Sequence, residues 1–278
     1  MDNKNPVEGI LSLKGKRKIT VLTAYDFPTA SIVDKAGIDI ILIGDSLANV
    51  VLGLESTTHV GMAEMLHHAK AVRRGVKEAL LVADMPYSAY QTRPEEAVEN
   101  ARKFIDEAGC QAVKIEWFDR APEVTRAIVA SGIPVMGHIG LTPQTADQLG
   151  GFKVQGKDAQ AAKRLIGQAL EFEKEGSFAI VLECIPDALS GLISKKIQIP
   201  TIGCGGGASC DGQVLVISDL LGLTQGHRPK FVKQYADLSA VILEAVKAFK
   251  DEVTQGKFPG PEHSFTIKEE ELKKIDDR

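Results

Sequence analysis

Short runs rich in β-branched residues alternate with longer amphipathic stretches along almost the whole chain, and this alternation constrains the fold more than any other feature. The strand candidates are 19–25, 38–44, 80–85, 112–117, 134–139, 178–184, 200–203 and 213–217. Helical patterns occupy 28–36, 62–74, 94–108, 122–130, 159–175 and 186–195, and a last one, 238–254, follows the eighth strand. Thr92-Arg93-Pro94-Glu95-Glu96 offers a capping hydroxyl, an early proline and first-turn acids. Gly37, Gly75, Gly109, Gly132 and Gly176 stand just past helical runs, where a left-handed cap suits glycine.

Strand–helix–strand repetition implies right-handed crossovers and a parallel sheet covered on both faces. Eight such strands favour a closed (β/α)₈ TIM barrel, with an open doubly wound sheet as the alternative. The 278 residues suit one such barrel, which typically takes ~250. A single catalytic domain is expected over 1–265, with 266–278 as a charged tail of Glu, Lys and Asp. The net charge of −4 leaves no basic excess for a nucleic-acid backbone. No apolar run approaches the ~20 residues that span a bilayer, and the first ten residues lack the apolar core of a signal peptide. Cys110, Cys184, Cys204 and Cys210 show no C-x-x-C spacing, so a reduced, cytoplasmic protein is expected.

The chemistry should lie where the strands end. Asp45 closes the second strand, Asp84 interrupts the third, Lys114 and Glu116 sit inside the fourth, His138 ends the fifth and Glu183 the sixth. Side chains alternate along a strand, so Lys114 and Glu116 share one face, and Val113, Ile115 and Trp117 the other. With the apolar set against the helices, the charges point into the barrel, where an unpaired charge is too costly to keep without a partner. A structural salt bridge of Lys114 with a neighbouring acid is the plain alternative. Adjacent parallel strands lie ~4.8 Å apart, so Asp45, Asp84 and Glu116 can project toward one point. Converging oxygens suit a hard cation such as Mg²⁺, held by one or two carboxylates with waters and substrate completing an octahedron. Zinc fits less well without a His or Cys pair. Glu183, across the mouth, is placed for proton transfer, or alternatively caps the next helix.

Other signals are weaker. About seventeen residues separate Gly44 from the helix at Met62, and loops of that length are usually functional. Gly203-Cys204-Gly205-Gly206-Gly207 reads either as a phosphate cradle or, slightly better, as a tightly packed turn without a following base. Glu64, His67 and His68 lack the H-E-x-x-H order and read as exposed helix residues, Arg73 and Arg74 as salt-bridge partners at a helix end, and Cys204 and Cys210 as small packing residues.

Thr23-Ala24-Tyr25-Asp26, Gly44-Asp45-Ser46-Leu47, Ala71-Val72-Arg73-Arg74-Gly75, Val113-Lys114-Ile115-Glu116 and the run Gly137-His138-Ile139-Gly140-Leu141-Thr142-Pro143-Gln144 resemble the ketopantoate hydroxymethyltransferase family. So do Lys153-Val154-Gln155-Gly156, Asp211-Gly212-Gln213-Val214-Leu215-Val216 and Glu262-His263-Ser264-Phe265, in order from about residue 8 to 265. Thr58-His59-Val60-Gly61, Ala48-Asn49, Cys204 and Gly206 depart from the family pattern. The resemblance implies a barrel of the phosphoenolpyruvate/pyruvate superfamily. It implies transfer of a hydroxymethyl group from 5,10-methylenetetrahydrofolate to 3-methyl-2-oxobutanoate in pantothenate synthesis, and a homo-oligomer, commonly a decamer. By motif, Asp45 and Asp84 are then the metal-binding acids with Glu116 near or on the Mg²⁺. Ser46, Lys114 and His138 contact substrate together with Asp45 and Asp84, and Glu183 is the proton acceptor. Two competitors stay open: a carbon–carbon lyase or mutase on the same barrel, whose Lys-Lys-Cys-Gly-His loop is absent here, and a non-catalytic effector-binding barrel.

Overall fold

The computed structural model describes residues 6–276 except 225 and 227. Strands β1 (Ile19–Thr23), β2 (Ile40–Ile43), β3 (Leu80–Asp84), β4 (Ala112–Glu116), β5 (Val135–Gly140), β6 (Ala179–Glu183), β7 (Thr201–Cys204) and β8 (Gly212–Leu215) are parallel. Each pairs with the next, and β8 returns to β1 with Val21 opposite Val214. The barrel is therefore closed, and the open-sheet alternative falls.

The helices, in chain order, are α1 (Pro6–Leu11), α2 (Phe27–Lys35), α3 (Leu47–Val50), α4 (Met62–Gly75), α5 (Tyr87–Tyr90), α6 (Pro94–Asp106), α7 (Ala121–Ala130), α8 (Ala159–Lys174), α9 (Asp187–Lys196), α10 (Ile217–Leu220), α11 (Leu238–Thr254) and α12 (Glu269–Asp276). The crossovers from β1 through β7 carry α2, α4, α6, α7, α8 and α9 in turn, whereas β7 joins β8 through 205–211 without a helix. Strand parity divides the apolar residues into two cores. Ile19, Val21, Leu80, Val82, Ala112 and Met136 fill the barrel, and Val7 and Ile10 of α1 join them at its N-terminal end. Ile41, Leu81, Ala83, Val113 and Ile115 pack outward among buried residues of the helices such as Val72 and Phe104. Burying both faces of the strands in this way is what makes a parallel sheet stable.

Local chemistry explains most boundaries. Asp26 and Asp158 cap α2 and α8 by accepting backbone N–H bonds from Thr29 and Ala161. Gly37, Gly109, Gly132 and Gly176 all have positive φ, as a left-handed cap requires. Gly75 does not. It ends α4 in helical conformation, and a Cβ there would lie 2.7 Å from the Phe27 carbonyl oxygen, so close packing of α4 on α2 demands the glycine. Thr92 is likewise not the cap of α6; Arg93 holds that position, paired with Glu96.

No residue of α11 is buried, and residues 269–275 of α12 are exposed. All four cysteines are free, and among the described residues no helix is long and apolar enough to cross a membrane.

Candidate active site

On β3, β4, β5 and β6 the inward side continues from apolar residues to ionisable groups toward the C-terminal end. Leu80 and Val82 lead to Asp84, Ala112 to Lys114 and Glu116, Met136 to His138, and Ala179 and Val181 to Glu183. Register then decides which groups meet. Asp84 lies opposite Lys114, and Glu116 opposite His138. The Lys114 ammonium accordingly stands 3.0 Å from Asp84 Oδ1. His138 Nδ1 is 3.3 Å from Glu116 Oε1, and its Nε2 is 3.2 Å from Glu183 Oε2. Asp45, just beyond β2, joins by donating its backbone N–H to Asp84 Oδ2 at 3.1 Å. The six charged or ionisable groups read from the sequence thus form one contiguous cluster, all of them buried except the partly exposed Glu183.

Burial and crowding set its electrostatics. Asp45 is pushed up to about 8, by burial first and then by the charges of Asp84 and Glu116, against the pull of Lys114 and Gln144. For Lys114, burial works against the charged form, but Asp84, Glu116 and Asp45 outweigh it and hold the ammonium protonated. Burial and Lys114 also press His138 down, yet its contacts with Glu116 and Glu183 raise it to about 9. The Lys114–Asp84 pair of the plain alternative does exist. Among the described residues it leaves Asp45 and Glu116 without a lysine or arginine partner within salt-bridge distance.

Two further residues hold the acids and a third holds Ser46, and single-residue reasoning did not reach them. The Gln144 side chain donates to Asp45 Oδ2 at 2.8 Å and to the Met85 carbonyl at 3.1 Å, while its backbone N–H donates to Glu116 Oε2 at 3.0 Å. Tyr90 donates its hydroxyl to Gln144 Oε1 at 2.5 Å and accepts the Glu116 backbone N–H at 3.2 Å. Tyr25 and Ser46 share a hydroxyl–hydroxyl bond of 2.8 Å. Gln144 and Tyr25 fall within the resembling strings, but nothing in the sequence points to Tyr90. A Cβ at Gly44 would come within 2.7 Å of Ser46 Oγ and would have to turn that hydroxyl away from Tyr25. Cys184, directly after Glu183, adopts φ +48°, a strained turn for a residue with a side chain.

The weaker signals resolve mostly as packing. Gly206 lies against the Leu182 carbonyl and Gly207 against the Asp187 carboxylate, and Lys18 donates to the Ala208 carbonyl just after them at 2.9 Å. Asp187 also accepts the Ser209 N–H at 2.9 Å. Glu64 accepts the Gly61 N–H at 2.9 Å, and His68, expected to be simply exposed, bonds the Tyr25 carbonyl at 2.7 Å. Arg73 donates to the Val76 carbonyl at 2.6 Å, closing α4 in place of the expected salt bridge.

The donor set suits a divalent cation. It brings the carboxylates of Asp45, Asp84 and Glu116 together, with Asp84 Oδ1 facing the Lys114 ammonium at 3.0 Å. It is not a closed cage, since no group of three His, Cys, Asp or Glu side chains among the described residues could hold an ion unaided. Mg²⁺ commonly binds in just this fashion, with few carboxylates and several water or substrate oxygens.

Residues 5–261 match the family model described as ketopantoate hydroxymethyltransferase. A 3-methyl-2-oxobutanoate hydroxymethyltransferase of Syntrophobacter fumaroxidans is 53% identical over 275 residues, covering 99% of this chain and 98% of its own. One from a Thermoanaerobacter species is 54% identical over 260 residues, covering 94% and 95%. Among solved structures, phosphonopyruvate hydrolase superposes with a TM-score of 0.62 at 13% identity over 97% of this chain and 94% of its own. A 2,3-dimethylmalate lyase of the PEP mutase/isocitrate lyase superfamily gives 0.59 at 12%, covering 98% of each. These two likenesses speak to the barrel alone. Near-full-length identity above one half, together with the family model, shows that the chain belongs to the ketopantoate hydroxymethyltransferase family.

Proposed function

We propose that the chain transfers a hydroxymethyl group from 5,10-methylenetetrahydrofolate to 3-methyl-2-oxobutanoate, giving ketopantoate for pantothenate synthesis. The observation that carries this reading is the convergence of Asp45, Asp84, Lys114, Glu116, His138 and Glu183 at the C-terminal mouth of the barrel, in a chain of this family. Asp45 and Asp84 would hold Mg²⁺, with Glu116 beside it. When bound, the ion supplies Lewis-acid stabilisation to the carboxylate and keto oxygens of the oxo acid.

The chain's own groups supply the rest. Lys114, kept cationic by three acids, offsets the negative charge of the substrate carboxylate and of the developing enolate. Glu183 takes the C3 proton, and its contact with His138 orients it toward the mouth. The new carbon nucleophile then bonds to the methylene carbon of the donor, the carbon–nitrogen bond to the folate breaks with its nitrogen taking a proton, and water supplies the hydroxyl, so that ketopantoate and tetrahydrofolate leave. Ser46, held by Tyr25, contacts the substrate beside Asp45. A cavity of about 470 Å³ is lined by Trp117, Phe118, Asp119, Arg120, Thr142 and Arg164, none of them a member of the cluster, and its Arg120 is paired with Glu123.

Purified protein should form ketopantoate only with Mg²⁺ and methylenetetrahydrofolate present. It should also exchange deuterium at C3 of the oxo acid without folate. Product without folate would favour a lyase or mutase, and no exchange would favour a binding protein. The site is proposed to work in the reduced cytoplasm, and the chain to self-associate, as a decamer in the form the family resemblance implies.

A further inference from the structure

The proposed base is the least restrained acid of the cluster. Asp84 faces the Lys114 ammonium and accepts the Asp45 N–H, and Asp45 accepts from the Gln144 side chain. Glu116 accepts the Gln144 N–H and stands beside His138. Among the described residues the partly exposed Glu183 carboxylate has a single ion-pair contact, His138 Nε2 at 3.2 Å. A carboxylate held at one point can still turn about its side-chain torsions, whereas a base has to be aligned with the bond that it breaks.

The next strand supplies a second partner. Register sets Val181 of β6 against Ile202 of β7, and Glu183 against Cys204. Val181, Ile202 and Cys204 all pack in the barrel interior, so parity turns the Cys204 and Glu183 side chains to the same inner side. The thiol there stands within hydrogen-bonding reach of the carboxylate. Both strand ends are also tied through the backbone. The Leu141 N–H donates to the Glu183 carbonyl and the Cys184 N–H to the Cys204 carbonyl, each at 2.9 Å. Only the two side chains remain to be set. Burial first, and then the Glu183 charge, raise the Cys204 thiol well above its ordinary value, so it keeps its proton. A protonated thiol beside a carboxylate is a donor facing an acceptor, and among apolar neighbours it is otherwise a small hydrophobe. An apolar residue of similar size would pack as well but would leave Glu183 to His138 alone.

We infer that Cys204 is a positioning residue for the proposed base: its S–H donates to the Glu183 carboxylate and keeps it aimed at C3 of the oxo acid. His138 acts on the same carboxylate from β5 and Cys204 from β7, on either side of β6. The inference rests on the reading of Glu183 as the base and adds to it a residue that the sequence reads only as packing.

The test uses the purified full-length protein and two readouts. The first needs no activity: the infrared S–H stretching band of Cys204, identified as the band lost in Cys204→Ala. A thiol bonded to a carboxylate gives a band lowered in frequency, and Glu183→Gln, which removes the charge, should raise it. The second is deuterium exchange at C3 of 3-methyl-2-oxobutanoate with Mg²⁺. Loss of one hydrogen bond predicts exchange about three- to tenfold slower in both Cys204→Ala and Cys204→Val. The oxo-acid concentration for half-maximal exchange should stay within about twofold, and Cys204→Ser should restore the rate to within about twofold of the parent. A Cys204 band at the free-thiol position, unmoved by Glu183→Gln, would overturn the inference whatever the activity. Parent-like exchange in the Ala and Val variants, or a Ser variant as slow as Ala, would also overturn it, because no donor would then be at work. If Glu183→Gln itself exchanges at the parent rate, the base assignment fails, and the inference falls with it.

Discussion

Replacing Gln144 by Ala probes how the acids are held. The substitution deletes a donor 2.8 Å from Asp45 Oδ2 and the acceptor of the Tyr90 hydroxyl, while the backbone bond to Glu116 survives. An ordinary hydrogen bond contributes about 0.5–1.5 kcal/mol, and a buried hydroxyl left unpaired costs a further 1–3 kcal/mol or so. Stability should therefore fall by about 2–4 kcal/mol, measured by urea unfolding. The same loss frees the Asp45 carboxylate to rotate and to bind a proton more tightly. Groups that orient metal ligands are commonly worth 10–100-fold in affinity. Titration calorimetry of Mg²⁺ with the oxo acid should thus show Gln144→Ala weaker by about that factor. Tyr90→Phe keeps the bond to Asp45 and should lose only a few-fold, about 1 kcal/mol. A folded Gln144→Ala protein that binds Mg²⁺ within twofold of the parent would refute the role given to Gln144.

Other substitutions read other parts of the account. Glu183→Gln should lower turnover by ~10²–10⁴ while oxo-acid binding persists, and near-normal turnover would remove Glu183 as the base. Lys114→Met strands three buried acids and should cost about 3–5 kcal/mol in chelator, partly regained in excess Mg²⁺; equal stability with and without Mg²⁺ would contradict a cation site there. Asp34 is pushed up by burial but held below the usual carboxylate range by the N–H groups of Ala79, Lys77 and Glu78 and by Arg73. Its stabilisation is full above the unfolded carboxylate value of about 3.9 and is lost as pH falls through the lower folded one. Urea unfolding of Asp34→Asn across pH 2–6 should therefore show a reduced stability that declines less below about pH 4 than the parent's; parallel declines would reject this.

The barrel was legible because its strands and helices obey different periods, and the register followed from closing eight of them. Lys114 and Glu116 announced themselves as charges on the inward side of an apolar strand, and Asp84, His138 and Glu183 as polar ends. Tyr90 was not legible, because a tyrosine on a one-turn helix looks like any core aromatic until its hydroxyl is seen between Gln144 and the Glu116 amide. Gly75 misled for a related reason. The sequence marks a glycine at a helix end, but only packing against Phe27 tells a close approach from a left-handed cap.

The central claim is that Asp45 and Asp84 jointly grip a divalent ion at the mouth of the barrel. Crystals grown with Mn²⁺ and 3-methyl-2-oxobutanoate, measured at the manganese absorption edge, test it directly. An anomalous peak about 2.1–2.2 Å from oxygens of both carboxylates, shared with the oxo acid, is the expected result. A fully occupied manganese bound elsewhere, with both carboxylates still tied to Lys114 and Gln144, would contradict it.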